Sequence, residues 1–92
     1  MRRIERKIMK INDQLAMLRE DLRLLTEELN YHQHLDDDAQ RDAALGDAED
    51  RALAYETNND RLRFERLVRE TQARIDKAEI RRARFLTDLG DL

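Results

Sequence analysis

The residues able to do chemistry are few, and their spacing works against it. His32 and His34 stand two apart in Tyr31-His32-Gln33-His34. On a helix that spacing puts them on different faces, unlike the i, i+4 pair of a zinc helix. His32 and Asp36 do stand four apart, but two ligands are too few for zinc. Asp36-Asp37-Asp38 offers carboxylate oxygens of the kind calcium or magnesium takes, yet no EF-hand spacing follows. Consecutive helical positions also point about 100° apart. The chain has no cysteine and no serine; Thr26, Thr57, Thr71 and Thr87 are its only serine-like hydroxyls. Disulfides, thiolate metal sites, cysteine nucleophiles and a serine triad are therefore excluded. There is no glycine-rich phosphate loop. Carboxylates without a cleft have no reason to form a tuned acid/base pair. The expectation is a protein that is not an enzyme, with no cofactor and no metal.

What the sequence does specify is the frame. Ile4, Ile8, Ile11, Leu15, Leu18, Leu22, Leu25 and Leu29 follow one another in steps of 4 and 3. Phe64, Val68, Thr71, Ile75, Ala78, Arg82, Phe85 and Leu89 do the same. Taken from opposite ends, the two ladders pair so that each pair of numbers sums to 93. The mirror point falls between Gly46 and Asp47. Periods near 3.5 are those of coiled coils. The predicted fold is all-α: a long antiparallel two-helix coiled-coil hairpin with its turn at Gly46-Asp47. Helix 1 is expected over about 2–44 and helix 2 over about 47–89, within a single domain of 1–92. Gly46 suits a left-handed position ending the first helix. Asp47 suits the N-cap of the second, with Asp50 at the acidic position of a capping box. Each arm would be roughly 65 Å long.

The middle layers are the weak stretch. The mirror sets His32 beside Arg61 and Asp36 beside Thr57, with nothing apolar to fill them. Asn58-Asn59-Asp60 competes for backbone hydrogen bonds. A break near 57–60 would give a three-helix alternative with a short helix over about 47–57. Towards the turn Ala39 faces Ala54, with Ala43, Ala48 and Ala52 close by, so the helices should approach there.

Composition agrees with a stripe buried on long helices. Apolar residues are 40%, charged residues 42%, the net charge is −3, and there is no proline. The start, Met1-Arg2-Arg3-Ile4-Glu5-Arg6-Lys7, never opens into the apolar run of a signal peptide. No stretch approaches the ~20 apolar residues of a membrane span. A cytoplasmic location away from membranes is expected.

Met17, Leu24 and Tyr31, seven apart, form a second apolar row beside the main ladder of helix 1. Leu53, Leu67, Ile80 and Leu86 lie off the ladder of helix 2. A row at heptad spacing marks a helix-packing face. Self-association is expected, with a four-helix bundle of two hairpins its simplest form. Charge is segregated. Residues 36–50 carry seven acids and one base, a net −6. Residues 1–12 carry a net +4 and residues 74–86 a net +3. The basic ends read first as solvated faces. The alternative is contact with nucleic-acid phosphate, but no aromatic residue is interleaved for base stacking, so nucleic acid is not the expected partner. The acidic end reads as helix-start stabilisation, or as a surface offered to a basic cleft.

Asp47-Ala48-Glu49-Asp50-Arg51-Ala52 resembles the D-x-x-D-x-A signature at the coiled-coil tip of DksA/TraR-type transcription factors. Asp47, Asp50 and Ala52 fall on its three signature positions, at the predicted turn. The resemblance implies insertion of the hairpin tip into the secondary channel of bacterial RNA polymerase. The family's globular domain, often with a four-cysteine zinc site, has no counterpart in this cysteine-free sequence. Two functions are therefore expected: an interaction, scaffold or oligomerisation module, and alternatively a regulator that inserts its acidic tip into polymerase.

Overall fold

The computed structural model describes residues 2–92. Its elements are two helices, α1 over Arg3–Leu45 and α2 over Ala48–Gly90, joined in an antiparallel hairpin by Gly46-Asp47. The all-α hairpin expected from the ladders is thus the fold. α2 runs unbroken through Asn58-Asn59-Asp60. At Asn58 a reason is visible: its Oδ1 accepts a hydrogen bond from Arg61 Nη2 (2.7 Å) and so does not compete for helix backbone donors.

The buried stripe extends further than the apolar residues do. On α1 the steps of 4 and 3 continue past Leu29 through His32, Asp36, Ala39 and Ala43. On α2 they reach back from Phe64 through Arg61, Thr57, Ala54 and Asp50. Every one of these positions is buried or half-buried, as is each rung of the two sequence ladders. The positions between them are mostly exposed.

The chain packs as two compact units. One pairs the segment up to Leu22 with Glu70–Leu92. Its core is Ile11, Leu15, Ile75 and Ala78, with Leu18, Leu22 and Phe85 packed against it. Leu18 packs against the cluster that contains Ile75, its partner under the mirror rule. Arg82 occupies a seam position opposite Ile11. It keeps its stem in the seam and its head at the edge, where Nη1 donates to Asn12 Oδ1 (3.2 Å). Arg19 and Glu79 form an exposed ion pair of 3.0 Å across the helices, a contact that contributes little to stability. The other unit, Arg23–Arg69, contains the turn. Leu25, Leu29, Phe64 and Val68 are half-buried there, and Ala39 and Ala54 are buried.

The turn corrects one expectation. No described residue, glycine included, has a positive φ. Gly46 is therefore not needed for a left-handed conformation. It is needed for space. A Cβ at this position would run into Asp50 Oδ2 and lie 2.7 Å from the Asp42 carbonyl oxygen. The carboxylate can move, but the carbonyl belongs to the last turn of α1. Gly46→Ala is expected to destabilise the chain by about 1–3 kcal/mol, read as a lower urea midpoint. Unchanged stability would mean that the turn relaxes freely around the methyl group.

Candidate interaction surfaces

Three features stand out as candidates: the turn, a buried polar layer and the exposed apolar row. At the turn the two aspartates cap each other's backbone. The Asp50 N–H donates to Asp47 Oδ1 (3.1 Å) and the Asp47 N–H donates to Asp50 Oδ2 (3.2 Å). This is the reciprocal capping box, with aspartate in place of the usual Glu or Gln. Arg51 Nη1 adds a bond to the Gly46 carbonyl (3.2 Å). Asp47 and Ala52 are exposed, whereas Asp50 is half-buried. The D-x-x-D spacing thus has a local structural cause in the helix start. Its exposed members, Asp47 and Ala52, are the ones that a partner could reach.

The polar layer was not foreseen as a unit. Asp36 is only 4% exposed. Arg61 Nε donates to its Oδ2 at 2.8 Å, and Gln40 Nε2 donates to its Oδ1 at 3.0 Å. Thr57 Oγ1 lies 3.0 Å from the same Oδ1 and 3.1 Å from the Ala54 carbonyl, so its one proton serves both. Gln40 also donates to that carbonyl (2.9 Å). The arginine is held in turn by Glu65 (2.6 Å) and Asn58. Among the described residues no buried side-chain polar atom lacks a partner.

The Gln40 hydrogen bond is the largest influence on the Asp36 carboxyl, and with Arg61 and Thr57 it outweighs burial. The acid's pKa is held below its ordinary value. Asp36 raises that of Arg61 in return. One layer away, the His32 ring stacks on Phe64 with centroids 4.5 Å apart and planes 13° apart. The seam is therefore filled where the sequence offered no aliphatic residue. The signal was present: an acid and a base of opposite charge occupy adjacent seam layers on facing helices. Asp37 and Asp38 are exposed while Asp36 is buried, so the three acids do not converge.

The row on α1 is exposed at all three positions: Met17 at 70%, Leu24 at 47% and Tyr31 at 59%. Met17 belongs to the first unit, Leu24 and Tyr31 to the second. On α2, Leu53, Ile80 and Leu86 are exposed too, but Leu67 is half-buried.

No described helix is long and apolar enough to cross a membrane. Comparison with known protein families, curated proteins and solved structures finds no match to this chain. Its functional reading rests on its own surfaces.

Proposed function

We propose that the chain is a non-enzymatic coiled-coil interaction module, a scaffold or oligomerisation element whose working surface is an outer face of its helices. The observation that supports this most is a contrast on α1. Each seam position is covered, yet Leu24 and Tyr31, seven apart within one unit, remain open to solvent, as does Met17 in the other. A stripe of this spacing is what one helix offers another. The row is a docking face if its side chains matter to association and not to folding. Leu24→Glu should therefore leave helicity intact and stability within about 0.5 kcal/mol of wild type. It should also remove the association seen by sedimentation or by retention from host lysate. A wild-type chain that stays monomeric at tens of micromolar, an order typical of weak interfaces, would leave a different protein as the occupant of the row. If it also retained nothing from lysate and matched Leu24→Glu, the row would be surface and the reading would fail.

A second reading keeps to the turn. Asp47 is exposed there, within the segment that resembles the polymerase-channel signature. Asp47→Asn and Asp50→Asn keep capping oxygens and remove two charges. The double variant should fold as wild type does. If the turn enters the secondary channel of bacterial RNA polymerase, the variant should bind purified polymerase more weakly than wild type. The wild-type interaction should also fade with added salt. Equal inactivity of both proteins towards polymerase would remove this reading.

A further inference from the structure

The seam assigns sides to the unit Arg23–Arg69. With Leu29 and Asp36 at heptad position a of α1 and Leu25, His32 and Ala39 at d, the row residues Leu24 and Tyr31 are at c and Leu35 is at g. On α2, with Ala54 and Arg61 at a and Thr57 and Phe64 at d, Leu53 is at g. In an antiparallel pair the c and g positions of both helices share one side, and the b and e positions share the other. The contacts agree: Gln40, Ala44, Arg51, Tyr55 and Asn58, all at b or e, line one groove together. Leu24, Tyr31, Leu35 and Leu53 therefore lie on the opposite side, and all four are exposed.

The other c and g positions of this unit set its charge. Glu28, Asp38, Asp42, Glu49, Glu56 and Asp60 occupy six of them, and Arg63 is the one base. Even that base is engaged, with its guanidinium 5.0 Å from the centre of the Phe64 ring. Two carboxylates have weak local neighbours, Glu28 by His32 and Asp38 by Arg41, each at 3.8 Å. The result is an apolar face interleaved with acid. Two copies of such a face pressed together would set carboxylates against carboxylates in a place where water is being removed. Like charges so placed cost several kcal/mol and reject a partner.

We propose that this side of the unit docks a basic amphipathic helix of another protein: leucine-like side chains on the Leu24–Tyr31–Leu35–Leu53 surface, Lys or Arg over the carboxylates. The proposal rests on the reading of the chain as an interaction module and names its occupant. Burial of the apolar row supplies affinity. The acid rim selects against acidic and neutral helices, a second copy of this face included.

The test uses the full chain and two labelled synthetic helical peptides with the same leucine stripe. One is flanked by lysines and the other by glutamates. Fluorescence anisotropy should show binding of the lysine peptide, weakened by salt, and none of the glutamate peptide. Leu24→Gln with Leu35→Gln leaves the charge unchanged and should weaken binding by roughly tenfold or more. Glu28→Gln with Asp42→Asn should weaken it as well. Circular dichroism confirms that each variant remains helical. Equal binding of the lysine peptide to wild type and to the Leu→Gln variant would reduce the effect to nonspecific charge and overturn the proposal. So would absence of binding. If sedimentation instead finds a wild-type dimer that Leu24→Gln dissolves, the module reading stands and the basic occupant is wrong.

Discussion

Asp36→Ala is expected to destabilise the protein by about 3–5 kcal/mol, the cost of breaking a buried ion pair by removing one partner. The carboxylate is the hub of its layer: Arg61, Gln40 and Thr57 all direct donors at it. Alanine removes the shared acceptor; Gln40 and Thr57 keep the Ala54 carbonyl, while Arg61 Nε loses its partner. Glu65 and Asn58 still hold the guanidinium, and its side chain is partly exposed, so the loss should lie towards the lower end of that range. Replacing both Asp36 and Arg61 with leucine should behave differently. A well-packed apolar layer can match or exceed a buried pair in stability by about 1–4 kcal/mol. What the apolar layer gives up is the marker that distinguishes this register from one shifted by a heptad, since leucine meets leucine equally well in either. Urea unfolding measures the first effect, and a broadened amide spectrum of the double variant measures the second. An Asp36→Ala protein within about 1 kcal/mol of wild type would mean that the layer is open to water and does not fix the register.

The same carboxylate predicts the acid limb of stability. Its pKa in the folded chain is lowered, chiefly by the Gln40 hydrogen bond and then by Arg61 and Thr57. The unfolded chain therefore takes up a proton at a higher pH than the folded chain does. The contribution is complete above the ordinary carboxylate value, about pH 4, and is lost as pH falls from there through the lowered folded value. Asp36→Asn should be less stable than wild type at neutral pH, and the gap should narrow below about pH 4. A gap that stays constant down to pH 2 would show that protonation of Asp36 is not linked to folding.

The hairpin was legible because its evidence is redundant. Eight rungs on each arm obey one mirror rule, and a single glycine stands at its centre. Chain reversal at Gly46 is the arrangement that covers both ladders. The mirror also pairs His32 with Arg61 and Asp36 with Thr57, layers to which hydropathy assigns no filling. Hydropathy treats a polar seam residue as a defect. Whether it is one depends on where its hydrogen bonds go, and that depends on rotamers of Gln40, Asn58 and Glu65 that no periodicity encodes. The role of Gly46 was hidden for a similar reason. Glycine at a helix end has two physical uses, a left-handed φ and room for a neighbour, and only coordinates separate them. The row Met17, Leu24, Tyr31 was legible as a row. The acid beside it became meaningful only once the seam fixed which side of the helix pair each residue occupies.

Leu15→Ala is the second large expected effect, about 2–5 kcal/mol. Leu15 is 0% exposed and is the largest side chain that the fold encloses completely. It stands with Ile11, Ile75 and Ala78, and its mirror partner is Ala78, a residue too small to fill the vacated space. Alanine therefore removes apolar burial and leaves a cavity, and the slight gain in helix propensity from leucine to alanine, a few tenths of a kcal/mol, does not offset this. The control is Leu24→Ala, the same change on the same helix at an exposed position, where the cost should stay within about 0.5 kcal/mol. Because a small domain has only about 5–15 kcal/mol in all, Leu15→Ala should lower the urea midpoint visibly while Leu24→Ala does not. The two large effects should also add. Leu15 and Asp36 belong to different compact units and their partners do not overlap, which is the condition for independence within about 0.5 kcal/mol. If the two mutations at 15 and 24 cost the same, the sum-to-93 register is wrong. If Leu15→Ala and Asp36→Ala together cost much less than their sum, one of the single variants has already unfolded the other's unit.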